Sequence, residues 1–230
     1  MIKLILPILL AMGWAYAMYR MSMAKLASDL DRNSRPIDDP ELEALVRRIG
    51  RQVEIEHLQA HTYQMDAING LAAPDGRIFI TTGLLERYQR GEVTAAEVTS
   101  VIVHELGHVA RGHHKRRMID WTGQNAARMA LGMVLSRIIP FIGFYIANLV
   151  SSLLMAKLSR RDEFEADEYA TALMVSAGLG TGPQISMFEK LGRLSPSGKG
   201  VAWLMSHPAT SERIQAIKDR SDKWAEKLDA

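Results

Sequence analysis

The pentapeptide His104-Glu105-Leu106-Gly107-His108 constrains this chain more than any other feature. Histidines four apart on a helix share a face, so both imidazoles can meet one divalent ion. Glu105, one step on from the first, then reaches a water on the open side of that ion. The bland alternative is two surface histidines on a helix, and the local pattern argues against it. Thr94-Ala95-Ala96-Glu97 reads as a capping box, and Val98, Val101, Ile102, Leu106 and Val109 cluster on the helix that follows. That helix is predicted to run past His108 into a basic end at Arg111, Lys115, Arg116 and Arg117. The chain has no cysteine, which excludes disulfide frameworks, thiolate-bound zinc and thiol catalysis. Any metal must be held by histidine and carboxylate.

A hydrolytic zinc site needs a third protein ligand and leaves one position for water. His114 follows His108 by six residues, as in metzincins, but Arg111 stands where that pattern places its helix-breaking glycine. On an unbroken helix, His114 turns about 240° away from His108. The rival is Glu163, in Ser159-Arg160-Arg161-Asp162-Glu163-Phe164-Glu165-Ala166-Asp167. Glu163 and Asp167 lie four apart on one helical face, so Glu163 can bind metal while Asp167 accepts from the second nitrogen of a ligand histidine. Glu165 and Glu168 read as a solvated acidic face.

At 230 residues, 47% hydrophobic and 23% charged, the chain suits one medium domain with its own core. A net charge of +2 gives no reason to expect a nucleic-acid partner. Residues 1–27 begin with Lys3, an apolar run from Leu4 to Tyr19 and Ala15-x-Ala17, the form of a signal peptide or a membrane anchor. Residues 28–40 are polar with two prolines and read as a linker. Residues 41–220 are expected to form the metal-binding domain and 221–230 a tail. Asp39-Pro40 caps a first helix, with Leu42, Leu45, Val46, Ile49 and Val53 at helical spacing. Tyr63, Met65 and Ala67 alternate as one candidate strand, and Ile78-Phe79-Ile80 forms another after Pro74-Asp75-Gly76. A strong helix from Arg160 to Ala177 stops at Gly178, and two shorter ones follow Pro183 and Thr210. The fold class is α+β, mainly α: a zincin-like domain with a small antiparallel sheet beside the His-Glu-x-x-His helix.

Four separated stretches then carry a resemblance: NGLAAPDGRIFITTGLLE, HELGHVARGHH, SRRDEFEAD and SHPATSERI, spread in order over roughly residues 40–220. Together they resemble the gluzincin metallopeptidases of family forty-eight. The resemblance implies one zinc ion per chain on His104, His108 and Glu163, with Glu105 as general base and Asp167 behind the ligands. It also implies that His207 and Asn69 border the cleft, that His207 assists the transition state, and that His113 is the histidine often found five residues after the second ligand. The family usually reads Asn-Ala-Phe-Ala where this chain has Asn69-Gly70-Leu71-Ala72. Taken alone, His207 beside Pro208 reads as structural or solvated, and Asn69-Gly70 as an ordinary turn. His57 and His61 read as surface residues.

The expected activity is hydrolysis of peptide bonds in extended or misfolded polypeptides, in membrane-associated quality control. Substrate is expected to add as a strand along Gly76, Arg77, Ile78, Phe79 and Ile80, since a free sheet edge pairs with backbone and demands little sequence. Residues 138–156 carry no charge, yet His108 and Glu163 must meet, so an odd number of membrane crossings between them is impossible. Residues 129–158 therefore read as an apolar helical hairpin, either packed on the domain or dipping into one leaflet, and membrane lipid is an expected partner. The N-terminus is expected to anchor or export the protein, with a lean to the periplasm. The competing function is a non-catalytic holdase that keeps fold and metal; Glu105 argues against it, because binding alone has no need of a base.

Overall fold

A computed structural model describes residues 2–73, 75–113, 128–129, 131–194, 207 and 211–228. Helix α1 (Ile2–Asn33) leads into strand β1 (Ser34–Pro36) and helix α2 (Pro40–Gln52). Strands β2 (Ala60–Tyr63), β3 (Gly70–Ala72) and β4 (Ile78–Thr81) precede helices α3 (Thr82–Gln89) and α4 (Ala95–Ala110). After them come α5 (Gly143–Ser176), α6 (Gly182–Leu194) and α7 (Ser211–Leu228).

The caps form as their residues dictate. Asp39 accepts from the Leu42 N–H at 2.9 Å with Pro40 in the first turn of α2. At α4, Glu97 Oε2 accepts from the Thr94 N–H at 2.7 Å, while Thr94 Oγ1 accepts from the Glu97 N–H at 3.2 Å. Both ends of the capping box are therefore satisfied. Residues 28–40, expected as a linker, hold the last turns of α1, strand β1 and the cap of α2; Leu30 and Ile37 within them are buried.

The sheet runs β1-β2-β4-β3. It is mixed, not wholly antiparallel: β2 and β4 are parallel, with Ala60 opposite Ile78, because the chain crosses between them through β3. Strand β3 is antiparallel to β4, with Leu71 opposite Phe79, and β1 is antiparallel to β2. The β2 segment also ends at Tyr63, before the Met65–Ala67 part of the alternation. Strand β4 is buried along its whole length, as an uninterrupted apolar run should be.

Helix α4 is the centre of the domain. It packs on α5, α6, α2 and the β3/β4 side of the sheet, and this is why it is apolar around nearly its whole circumference. At Gly107 a Cβ would stand 2.9 Å from the Ala166 carbonyl oxygen and 3.1 Å from its Cα, so glycine lets α4 and α5 touch backbone to backbone.

Helix α5 is much longer than the Arg160–Ala177 segment expected, because it absorbs the apolar stretch down to Gly143. Residues 131–138 are helical as well, and a turn at 139–142 folds them back on α5. Close approach at Gly143, where a Cβ would meet the Leu135 backbone at 2.3 Å, and of Gly132 to the Phe144 ring keeps the two arms together. The apolar stretch is thus a helical hairpin whose tip, Phe141, is 93% exposed. Among the described residues no helix is long and apolar enough to cross a membrane.

Candidate metal centre

Helix α4 presents His104 and His108, and the inward face of α5 presents Glu163 and Asp167. All four are buried. His104 Nε2 lies 3.2 Å from His108 Nε2 and 3.4 Å from Glu163 Oε2, and His108 Nε2 lies 3.5 Å from Glu163 Oε1. A zinc ion with arms of 2.0–2.1 Å holds tetrahedral ligands about 3.3–3.4 Å apart. The two imidazole nitrogens and the Glu163 carboxylate, one oxygen towards each ring, therefore stand at about the separations of ligands on such an ion. His207, on the segment before α7, closes on the same point: its Nδ1 is 2.9 Å from Glu163 Oε2 and 3.4 Å from His104 Nε2. Ligand atoms of His104, His108, Glu163 and His207 all fall within 4.8 Å of one another.

The outer contacts fix which nitrogen faces inward. His104 Nδ1–H donates to Asp167 Oδ1 at 3.0 Å, which leaves the Nε2 lone pair aimed at the cage. His108 Nδ1 sits 2.7 Å from His113 Nδ1, and His113 Nε2 sits 3.2 Å from Glu165 Oε2. With His108 Nδ1–H donating to His113, and His113 Nε2–H donating to Glu165, every proton has an acceptor and His108 Nε2 is left bare. Lone pairs converging at such distances call for a cation between them. The surroundings also attract positive charge: burial opposes a charge on His104, but Asp167 and Glu163 outweigh it and lift the imidazole to about 9, so a proton and a metal ion compete for the same Nε2. Burial likewise pushes Glu163 upward, yet its hydrogen bonds to His104 and His207 hold the carboxyl far below the usual range. The donor set, two imidazoles and a carboxylate with a fourth group facing them, fits zinc better than calcium or magnesium, which prefer oxygen.

Glu105 points beside the cage, not into it. Its Oε1 is 3.5 Å from His207 Nε2, and its side chain lies against Gly70, where a Cβ would meet Glu105 Cγ at 3.3 Å. Strand β3 thus runs past the carboxylate. This corrects the expected substrate strand. Ile78, Phe79 and Ile80 belong to β4, which is paired on both sides by β2 and β3 and is fully buried, so it has no free edge. Arg77 is tied instead to Asp31 of α1 at 2.6 Å and to Asp75 at 2.8 Å, and Gly76 is part of that turn with φ +93°. The outer strand on this side is β3. Beside it, the Asn69 C=O accepts from the Thr81 N–H and the Ala73 N–H donates to the Arg77 C=O, so alternation turns Leu71 towards β4 and the N–H and C=O of Gly70 and Ala72 outward. Asn69 stands at the head of that edge, and its buried Oδ1 has no hydrogen-bond partner among the described residues.

Three site features escaped the sequence reading. Arg213 is buried at 2% exposure and forks onto Asp167, Nε to Oδ2 at 2.7 Å and Nη2 to Oδ1 at 2.8 Å, with Nη1 3.3 Å from Glu163. Its only signal was its place in SHPATSERI. Glu165 is the acceptor for His113, not part of a solvated face, whereas Glu168 is exposed as expected. Finally, α4 does break: Gly112 takes φ +65°, and the reversal brings His113 back to His108. His114 lies outside the described residues. His61, read as a surface residue, is half-buried on β2 against the Phe79 ring.

Comparison with known proteins gives a consistent picture. Residues 36–221 match the family described as Peptidase family M48. Metalloprotease LoiP of Escherichia coli (strain K12) is 31% identical over 78% of this chain and 69% of its own length. Metalloprotease YcaL of the same organism is 27% identical over 78% of this chain and 68% of its own. Protease HtpX of Pseudomonas putida is 25% identical over 90% of this chain and 83% of its own.

Proposed function

The chain belongs to peptidase family M48 and is a metalloprotease, and from that premise we propose that it is a zinc endopeptidase acting on extended or misfolded polypeptides at a membrane. The observation that carries the reading is the cage: two imidazole nitrogens and a carboxylate at tetrahedral spacing, with a second carboxylate beside them. His104, His108 and Glu163 hold one zinc ion. Bound there, zinc supplies Lewis acidity, which makes water acidic near neutral pH and polarises a scissile carbonyl.

The chain's own groups do the rest. Glu105 takes the water's proton and returns it to the leaving amine. His207, with Nε2 3.5 Å from Glu105, donates to the developing oxyanion. Asp167 keeps His104 in the tautomer that leaves Nε2 bare, and His113 does the same for His108. Substrate lies extended against β3, pairing with the outward N–H and C=O of Gly70 and Ala72, with the Asn69 amide at the head of the strand. Recognition through backbone suits unfolded segments and excludes compact ones.

For location, we take the N-terminal segment to anchor or export the protein, with the catalytic domain on the periplasmic side. Clearance of unassembled or misfolded polypeptides fits a backbone-reading cleft on such a protein. The decisive experiment pairs metal analysis with proteolysis of an unfolded substrate such as casein. Glu105→Gln should keep one zinc per chain and lose casein cleavage by a factor of about 10²–10⁴, the usual contribution of a general base. Undiminished turnover, or wild-type protein that holds no zinc, defeats the proposal. A holdase would bind casein equally well with either residue.

A further inference from the structure

We propose that α1 is a wall of the substrate cleft and builds there a subsite for one large apolar side chain of the polypeptide, about three residues from the bond that is cut. The proposal rests on the reading of β3 as the strand against which substrate lies; the subsite itself is argued from the packing of α1. The sheet is covered on both faces. Ile78 and Ile80 of β4 belong to the core shared with α2 and α4, whereas Phe79, between them, packs with Leu30 of α1 and with Ala73. Tyr63 and Leu71 lie on this second face too. Two polar ties hold α1 against it: the Tyr63 hydroxyl donates to Asp29 at 2.7 Å, and Arg77 meets Asp31 at 2.6 Å. The helix therefore crosses the sheet from β1, passes β4 at Leu30, and continues beside Ala73, where β3 ends.

Before Leu30, α1 stands off the sheet. A cavity of about 390 Å³ opens there, lined on the helix by Met23, Ala24, Ala27 and Leu30 and on the sheet side by Ala73. Met23, Ala27 and Leu30 follow one another at steps of four and three, so they form one face of α1. Ala24 and Ala27 leave the room, because a methyl group stands at each position where a longer side chain would fill it. The exposed charges of Arg20 and Asp75 complete the lining. Such a cavity rewards a Leu, Met or Phe side chain and offers an acidic one nothing for its lost water.

Strand geometry delivers the occupant. Gly70 turns towards α4, where a Cβ would meet Val101 and Glu105, while Leu71 and Ala73 turn towards α1. A chain paired with the outward N–H and C=O of Gly70 and Ala72 alternates in step, because facing residues on neighbouring strands share a side. Its side chains point in turn to Glu105 and to α1, and the one beside Ala73 meets the cavity. From Gly70, against Glu105, to Ala73 is three residues, about 10 Å of strand. That length separates the bond attacked beside Glu105 from the side chain held under α1. Large apolar residues are withdrawn into the interior of folded proteins, so the subsite gives a second reason for unfolded chains to be taken. The helix that carries the N-terminal apolar run is thereby part of the site.

The test reads binding and cutting separately. The full-length chain carrying Glu105→Gln is titrated with short fluorescein-labelled peptides of alanine and serine that hold one central Leu or one central Asp. With native α1 the Leu peptide should bind about tenfold tighter, the return on partly burying that side chain. Ala27→Trp, which fills the cavity, should bring the two peptides within about twofold of each other. Ala24→Glu, at an exposed position, should turn the preference towards a Lys peptide; urea unfolding checks the fold of both variants, and this second one decides if the first does not fold. With Glu105 in place, mass spectrometry should find the Leu peptide cut mainly about three residues from its Leu, and at scattered positions once Ala27→Trp is introduced. Equal binding of the Leu and Asp peptides, discrimination untouched by either variant, or cuts already scattered with native α1 overturns the proposal. Discriminating binding without any cleavage by the wild-type chain sinks the peptidase reading alone, and casein cleavage with indifferent binding sinks only the subsite.

Discussion

Replacing Asp167 by Asn removes one negative charge from the most buried corner of the site while keeping its volume. The carboxylate accepts three hydrogen bonds, two from Arg213 at 2.7 and 2.8 Å and one from His104 at 3.0 Å. An amide has one acceptor oxygen and sets two N–H donors against the remaining donors, so at least one of them is orphaned. Arg213, 2% exposed, keeps its charge and loses its fork on the carboxylate, while the 3.3 Å contact with Glu163 and the Phe188 ring, 4.6 Å from Cζ, remain. Losing one partner of a buried ion pair costs about 3–5 kcal/mol, and the surviving Glu163 contact places the expectation near the lower end, about 3 kcal/mol. Against a total of about 5–15 kcal/mol this is a large fraction. Urea unfolding of the zinc-free protein isolates that loss from metal binding. In a second assay, chelator competition, zinc affinity should fall about 10–100-fold because His104 is no longer oriented. The double variant Asp167→Asn with Arg213→Met, which removes the stranded cation, should recover most of the stability but none of the lost affinity. If the single variant unfolds within about 1 kcal/mol of wild type, Arg213 does not depend on the carboxylate and the reasoning fails.

Four further tests address other parts of the molecule. Gly107→Ala forces a Cβ against the Ala166 carbonyl at 2.9 Å, so α5 must move; calorimetry should show a loss of about 1–3 kcal/mol, with weaker zinc binding because Glu163 travels with the helix. Ala72→Pro removes an outward N–H of β3 without touching its ladder to β4, and kcat/KM on casein should drop about 2–10-fold with zinc content unchanged. Gly178→Ala, at φ +68° beyond the end of α5, should cost about 1 kcal/mol in urea unfolding. Burial pushes Glu97 up, but Lys190, Ser186 and the Thr94 N–H outweigh it and hold its carboxyl below the ordinary glutamate range. Its stabilisation is therefore whole above the unfolded pKa and fades as pH falls through the folded one. Below about pH 4.5, Glu97→Gln should flatten the acid limb of a stability profile, and an unchanged limb would show that the cluster at the foot of α4 is not what titrates.

Much of the site could be read from residue spacing because its chemistry is local to two helices. His104 and His108 are fixed by a four-residue step, Glu163 and Asp167 by another, and the capping box announces where α4 begins. What joins those helices is not local. Nothing in the spacing of Ser211-Glu212-Arg213 shows that the guanidinium will fold back onto Asp167, since that contact spans three elements. The substrate edge was misplaced for a related reason. Ile78-Phe79-Ile80 is plainly a strand, but whether a strand is central or at an edge depends on partners elsewhere in the chain, and β3 is too short and too rich in small residues to announce itself. The N-terminal limit of α5 was missed because an apolar helix buried on one side and bare on the other shows no periodicity.

The unbroken course of α5 from the apolar tip to Asp167 makes the outer arm and the cage parts of one screw. An insertion of a single residue near position 150 would leave everything from Lys157 onward in register with α4, yet swing the tip by about 100° and lengthen the arm by about 1.5 Å. Insertions of one or two residues would aim the arm elsewhere, whereas three or four would nearly restore its heading. Arm direction can thus be dialled by loop-free length changes that never touch a metal-facing side chain.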